Sequence, residues 1–158
     1  GRAVNILTIH LKPNSGLSVA EAEKYRSYEL EHILDATVNN ADYRNTDNWI
    51  VLGDFNADSR KDAPFHNYVD AGTHYLAHDY ISENTSLIDV MATRYPDTFM
   101  YTTASSRRID YVYMDSAAYG KVVEACVLAE SWTAPVETSL SNFCKPSDHL
   151  PILIDMKY

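Results

Sequence analysis

The continuous apolar run Trp49-Ile50-Val51-Leu52, closed by Gly53, constrains this chain more than any other segment. A short run without polar alternation marks a strand covered on both faces, so the residues at its exit are placed by rigid structure. Those residues are Asp54, Phe55 and Asn56. If the chain stays extended there, the side chains at i and i+2 point to the same side, giving one site both an acceptor-only carboxylate and an amide donor. A carboxylate in such a pair orients or deprotonates water or holds a cation, while the amide donates to an oxygen as charge develops on it. Taken alone, the same residues also suit a turn that caps the next segment.

Other elements are predicted around this strand. Val4–Leu11 alternates as a strand with apolar residues on both faces, which predicts an interior position. Ser18 with Glu21 forms a capping-box signature, and Ala22, Tyr25, Ile33 and Leu34 continue at helical spacing to about Val38. Ala63–Val69 and Leu87–Arg94 read as weaker helical segments, with no assignment between them. Thr98–Thr103, Arg108–Met114 and Val122–Ala129 are rich in β-branched, Tyr and Met residues and read as consecutive strands, with Ala104–Ser106 and Asp115–Gly120 as turns. Pro135–Pro146 reads as a polar loop, and Ile152-Leu153-Ile154 as a last strand after Pro151.

At 158 residues and 46% hydrophobic content the chain has material for one domain and too little for two ordinary ones. A net charge of −9 argues against gripping nucleic acid through a broad basic surface, yet leaves room for an acidic site whose bound cation meets a phosphate. Cys126 and Cys144 form neither a zinc pattern nor a disulfide framework and read as ordinary buried residues. No apolar run reaches the roughly 20 residues needed to span a bilayer. Localisation is left undetermined.

Three more segments carry chemistry. In Ser147-Asp148-His149-Leu150-Pro151-Ile152, adjacent residues at a strand start can turn a carboxylate and an imidazole toward one pocket mouth. Asp110, in Arg108-Ile109-Asp110-Tyr111, needs a partner if its strand is buried: Arg108 on the same face, or an imidazole elsewhere. His10 ends the first strand in Ile9-His10-Leu11. Tyr101, Tyr111 and Tyr113 read as core aromatics, and Asp89 with Arg94 as a solvated helix face.

The segments Ile9-His10-Leu11, Gly53-Asp54-Phe55-Asn56, Arg108-Ile109-Asp110-Tyr111 and Ser147–Ile152, in this order, resemble the second half of the endonuclease/exonuclease/phosphatase family, the deoxyribonuclease I-like metal-dependent phosphodiesterases. The resemblance implies an α/β (α+β) fold: half of a four-layer α/β sandwich, mainly antiparallel or mixed sheet with flanking helices. Residues 1–158 would be a single domain, the C-terminal part of the family's domain, without the N-terminal half that carries an Asn and the main metal-binding Glu. It further implies a catalytic set of His10, Asp54, Asn56, Asp110 and His149 converging on one cleft edge, with Asp110 orienting His149. Asp148 and Asp54 would hold Mg²⁺ or Mn²⁺, with Ca²⁺ also admitted. The substrate would be a phosphate ester: nucleic acid, phospholipid head group or a small ester. The isolated chain would have little activity, and its uncovered apolar face would favour self-association. The alternative is a non-catalytic binding or self-associating half-domain. A serine hydrolase built on Asp148-His149 is disfavoured, because no Gly-x-Ser-x-Gly elbow exists.

Overall fold

The computed structural model describes residues 3–43, 46–66, 73–128 and 147–158. Its elements run β1 (Asn5–His10), α1 (Val19–Ala36), β2 (Trp49–Asp54), a 3₁₀ helix (Arg60–Phe65), α2 (Leu76–Asn84), β3 (Ile88–Asp89), α3 (Val90–Arg94), β4 (Asp110–Met114), α4 (Ser116–Tyr119), β5 (Val122–Val127) and β6 (Ile152–Met156). Four strands form one mixed sheet in the order β1-β2-β4-β3, and β5 pairs with β6 in a second. β1 runs parallel to β2, whereas β4 is antiparallel to β2.

The sheet is covered on both faces, as the Trp49–Leu52 run requires. On one face Leu30 and Leu34 of α1 and Ala77 and Ile81 of α2 pack against Ile9, Val51, Tyr111 and Tyr113. On the other, Ile50, Val112 and Met114 meet Val90, Met91, Ala118 and Ala125, with Ile152, Ile154 and Met156 beside them. The fold is therefore the expected mixed α/β arrangement with flanking helices. α1 starts at a complete capping box, in which the Ser18 side chain accepts from Glu21 N–H and the Glu21 carboxylate accepts from Ser18 N–H.

Several expectations are corrected. β1 is an edge strand among the described residues, with Ile6 63% exposed. Apolar alternation reports which faces are covered and carries no information about edges. Thr98–Thr103 is no strand; only Thr103 pairs, in an isolated bridge to His149. The unassigned stretch contains α2, and the helix expected at Leu87 begins as the two-residue strand β3. The helix expected from Ala63 is a 3₁₀ helix spanning Arg60–Phe65, and its continuation to Val69 lies outside the described residues. Asp115–Gly120 closes into α4, capped by the Asp115 side chain, rather than an open turn. Tyr111 and Tyr113 are core residues, but Tyr101 is exposed. Cys126 is half-buried and its thiol is free; Cys144, Ala129 and the Pro135–Pro146 loop lie outside the described residues.

Gly53 is required where it stands. Its φ is 138°, and a Cβ there would meet Ile9 O at 2.0 Å, so only glycine lets β1 and β2 lie together one residue before Asp54.

His78 sits fully enclosed between α2 and the sheet, stacked against Phe55. The short Nδ1 contact to Tyr113 Oη, 2.7 Å, and the Nε2 contact to Ala57 O, 3.3 Å, suit a neutral ring that donates from Nε2 and accepts at Nδ1. Burial, reinforced by the Arg108 charge, pushes its pKa down to about 4. The unfolded ring binds its proton near pH 6.5, so between about 6.5 and 4 the unfolded state holds more protons than the folded one. The stability contributed by a neutral His78 is complete above that window and is lost as pH falls through it, by roughly 3 kcal/mol. Urea midpoints measured from pH 7.5 to 4 on the wild type and His78→Gln will show a flatter acid limb for the variant; parallel limbs would exclude His78 as the source.

Candidate active site

One transverse row of the sheet assembles the site. His10 at the end of β1 is the register partner of Asp54 at the end of β2, and Asp54 is the partner of Asp110 at the start of β4. Three residues separated by tens of positions in sequence thus stand side by side on adjacent strands, all on the face opposite α1 and α2. The bridge between Thr103 and His149 brings the fourth group alongside.

His10 Nε2 lies 3.6 Å from Asp54 Oδ2, and His149 Nε2 lies 4.0 Å from the same oxygen on the other side. His149 Nδ1 faces both Asp110 carboxylate oxygens, at 2.9 and 3.0 Å. An imidazole held in this way donates Nδ1–H to the carboxylate and keeps Nε2 turned toward Asp54. His10 is the open member, its side chain 73% exposed, whereas Asp54, Asp110 and His149 are partly enclosed.

Asn56 reaches the cluster differently from expectation. The chain is not extended there: Asn56 has φ 51°, and its N–H donates to Asp54 Oδ1 at 2.8 Å. That left-handed turn folds the amide back, so that Nδ2 donates to Asp54 Oδ2 at 3.2 Å and to Leu11 O at 3.0 Å. The turn expected of an Asx pair and the convergence on Asp54 are one and the same feature.

The electrostatics follow from this enclosure. Burial, together with repulsion from Asp54, pushes the Asp110 carboxyl above its ordinary range, and hydrogen bonds from Thr102 and His149 pull it back in part. Burial alone would disfavour a charged His149. Its hydrogen bond to Asp110, with the charges of Asp110, Asp54 and Asp148, more than offsets that and holds the ring above the ordinary histidine value.

Asp54, Asp110 and His149 each offer one ligand atom, and these atoms lie within 4.8 Å of one another. Asp148 stands apart from that group: it is exposed, and its carbonyl accepts from Ala104 N–H. Arg108 does not pair with Asp110. It is buried against Asp62, at 2.8 Å, and Asp89, at 2.8 and 3.0 Å, and it lies over the Tyr111 ring. The expected solvated pair of Asp89 and Arg94 is overturned with it, since Asp89 is fully buried and Arg94 instead donates to the Val122 and Val123 carbonyls. Thr102 was not foreseen. Its hydroxyl accepts from the N–H groups of both Ile109 and Asp110, at 3.1 Å each. A threonine in a segment misread as strand carries no sequence signal for such a role.

Behind the row a groove of about 540 Å³ opens between the two sheets. Asp110, Ser147 and His149 line one end, and Ile50, Met114 and Met156 the other.

The Endonuclease/Exonuclease/phosphatase family model matches residues 9–149. No curated protein matches the chain. Among solved structures, a 3′ phosphatase from Neisseria bound to a product DNA hairpin is 14% identical, with a TM-score of 0.66 over 98% of this chain and 62% of its own. An AP endonuclease from Archaeoglobus fulgidus is 18% identical, with a TM-score of 0.66 over 97% of this chain and 61% of its own. One from Leishmania major is 15% identical, with a TM-score of 0.59 over 97% and 50%. The chain thus spans about three fifths of the length of the first two structures it matches, and at these identities the likeness establishes the fold. With a family match that takes in His10, Asp54, Asn56, Asp110 and His149, the chain belongs to the endonuclease/exonuclease/phosphatase family.

Proposed function

We propose that this chain is the C-terminal part of a domain that hydrolyses phosphate esters, with His10, Asp54, Asn56, Asp110 and His149 as its catalytic residues. The observation that carries this reading is the row His10–Asp54–Asp110 across three strands, with His149 seated on Asp110. Asp54 lies within reach of two imidazoles and an amide, where it orients a water and accepts its proton. His149, its ring fixed by Asp110, donates from Nε2 to a phosphate oxygen. Asn56 exchanges its bond to Asp54 for a non-bridging oxygen, and His10 donates from the open side, as charge develops in the pentacovalent transition state.

The donor set fits a hard divalent cation, because carboxylate oxygens suit Mg²⁺, Mn²⁺ and Ca²⁺. Asp54 of that cluster would hold Mg²⁺ or Mn²⁺, with Asp148, exposed next to His149 and outside the cluster, as the second carboxylate, and such an ion would neutralise phosphate charge during displacement. For substrate, the family admits nucleic acid, phospholipid head groups and small phosphate esters. The likeness to a phosphatase solved with a DNA hairpin makes a 3′-phosphorylated DNA hairpin the first to try.

The 158-residue chain alone is expected to turn over little, since two or three carboxylates supply only part of the ligand shell of a hard cation. The check is hydrolysis of bis-p-nitrophenyl phosphate and of a 3′-phosphorylated hairpin with Mg²⁺ and Mn²⁺, beside calorimetric titration of each metal. The chain is compared with a version extended at its N-terminus by the upstream segment of its reading frame. Full turnover and micromolar metal affinity in the short chain would refute the partial-domain reading. The groove between the sheets and the exposed Ile6 favour a second reading, a non-catalytic half that binds a partner or a second copy. Loss of all turnover in the extended version, with a concentration-dependent dimer in sedimentation, would favour it.

A further inference from the structure

We propose that Thr102 is the positioning residue that fastens Asp110 and His149 into one unit, its hydroxyl holding the Asp110 backbone and its carbonyl holding Leu150, the neighbour of His149. This rests on the catalytic roles given above to those two residues and adds what keeps them together.

Asp110 and His149 lie on segments far apart in sequence, and their 2.9 Å contact exists only if the start of β4 and the segment leading to β6 stay in register. Between these segments stands Thr102, fully buried. A hydroxyl has one donor and two acceptor lone pairs. The Thr102 hydroxyl fills both acceptor positions: Ile109 N–H and Asp110 N–H each donate to Oγ1 at 3.1 Å. One side chain therefore pins the backbone at Ile109 and Asp110, from which the Asp110 carboxylate projects.

The other half of the pair hangs from the same residue's main chain. Leu150 N–H donates to Thr102 O at 2.6 Å, Thr103 bridges His149, and Ala104 N–H donates to Asp148 O at 3.0 Å. Thr102 N–H donates to Arg107 O at 2.8 Å, which closes the turn leading back to Asp110. Shift Thr102, and the carboxylate and the imidazole move independently.

The proposal separates valine from serine. Thr102→Val keeps the shape and removes the hydroxyl, whereas Thr102→Ser keeps the hydroxyl. In a form of the protein that shows phosphoester turnover, Thr102→Val is expected to lower kcat by roughly 10–100-fold with KM little changed, the usual cost of losing a group that orients a site residue. Thr102→Ser is expected to restore most of that rate.

The 158-residue chain supplies a readout free of activity. Its His149 Nδ1–H resonance, held by Asp110, is expected to be protected in the wild type and Thr102→Ser and lost to exchange in Thr102→Val. Ile81→Ala, a core truncation remote from the site, is expected to keep it. A retained resonance and kcat in Thr102→Val, or equal loss in Ile81→Ala, would overturn the assignment. Should Thr102→Val not fold, the wild type decides: a slowly exchanging Thr102 hydroxyl proton with nuclear Overhauser contacts to the Ile109 and Asp110 amide protons supports the role, and a rapidly exchanging one refutes it. If no form of the protein hydrolyses a phosphate ester, the hydrolase reading falls while these resonances still decide the role of Thr102.

Discussion

Replacing His149 with alanine is expected to lower phosphoester turnover by about 10²–10⁴-fold, the range in which a positioned acid–base group contributes, without unfolding the chain. Folding should survive because the ring is partly exposed and its contacts are confined to Asp110 and the cleft. Asp110→Asn is expected to do nearly as much. The amide cannot accept Nδ1–H at both positions as the carboxylate does, so the ring loses the fixed orientation that turns Nε2 toward Asp54. The two losses should not add: the double variant is expected to match the worse single one, because both remove the same unit. Steady-state kinetics on the most active form of the protein, with thermal melts run beside them, provides the check. Near-normal rates in either variant, or full additivity, would remove these residues from the roles assigned to them.

How far such a site can be read from sequence depends on whether its geometry is local. His10, Asp54 and Asp110 were legible because each stands at the end of a strand whose apolar pattern is plain, and strand ends on one sheet edge come together once pairing is set. The pairing itself was not legible. Nothing in Val4–Leu11 says that it is an edge, and nothing in Thr98–Thr103 says that it fails to be a strand. Its β-branched and aromatic residues serve a loop whose threonine holds Asp110 instead of a sheet. At Asn56 the i, i+2 rule led to the correct neighbour by the wrong path, since a positive φ replaced the extended chain. Buried charge was the least legible feature. Arg108 was offered Asp110 because they are two residues apart on a presumed strand, but β4 begins only at Asp110, and the arginine's true partners lie 46 and 19 residues away.

Removing that arginine is therefore expected to cost more than most core substitutions. Arg108 is 2% exposed and bonds Asp62 through Nε and Asp89 through both terminal nitrogens. Burial pushes the Asp62 carboxyl up; Asp89 is buried too, but the arginine outweighs that and holds its carboxyl below the usual range. Arg108→Leu leaves two carboxylates enclosed without a counter-ion, and breaking a buried pair from one side typically costs about 3–5 kcal/mol. The same change loosens the junction of the 3₁₀ helix, α3 and β4 two residues before Asp110, so activity should fall along with stability. Arg108→Leu combined with Asp62→Asn and Asp89→Asn tests the cause. Because neutral amides no longer demand a cation, the triple variant is expected to recover a substantial part of the loss, whereas independent effects would make it the least stable of all. Urea unfolding of the wild type, Arg108→Leu, the Asp62→Asn/Asp89→Asn pair and the triple variant at pH 7.5 measures this. A single-variant loss below about 1 kcal/mol would mean that the carboxylates find other partners, and that the network does not hold β4 in place.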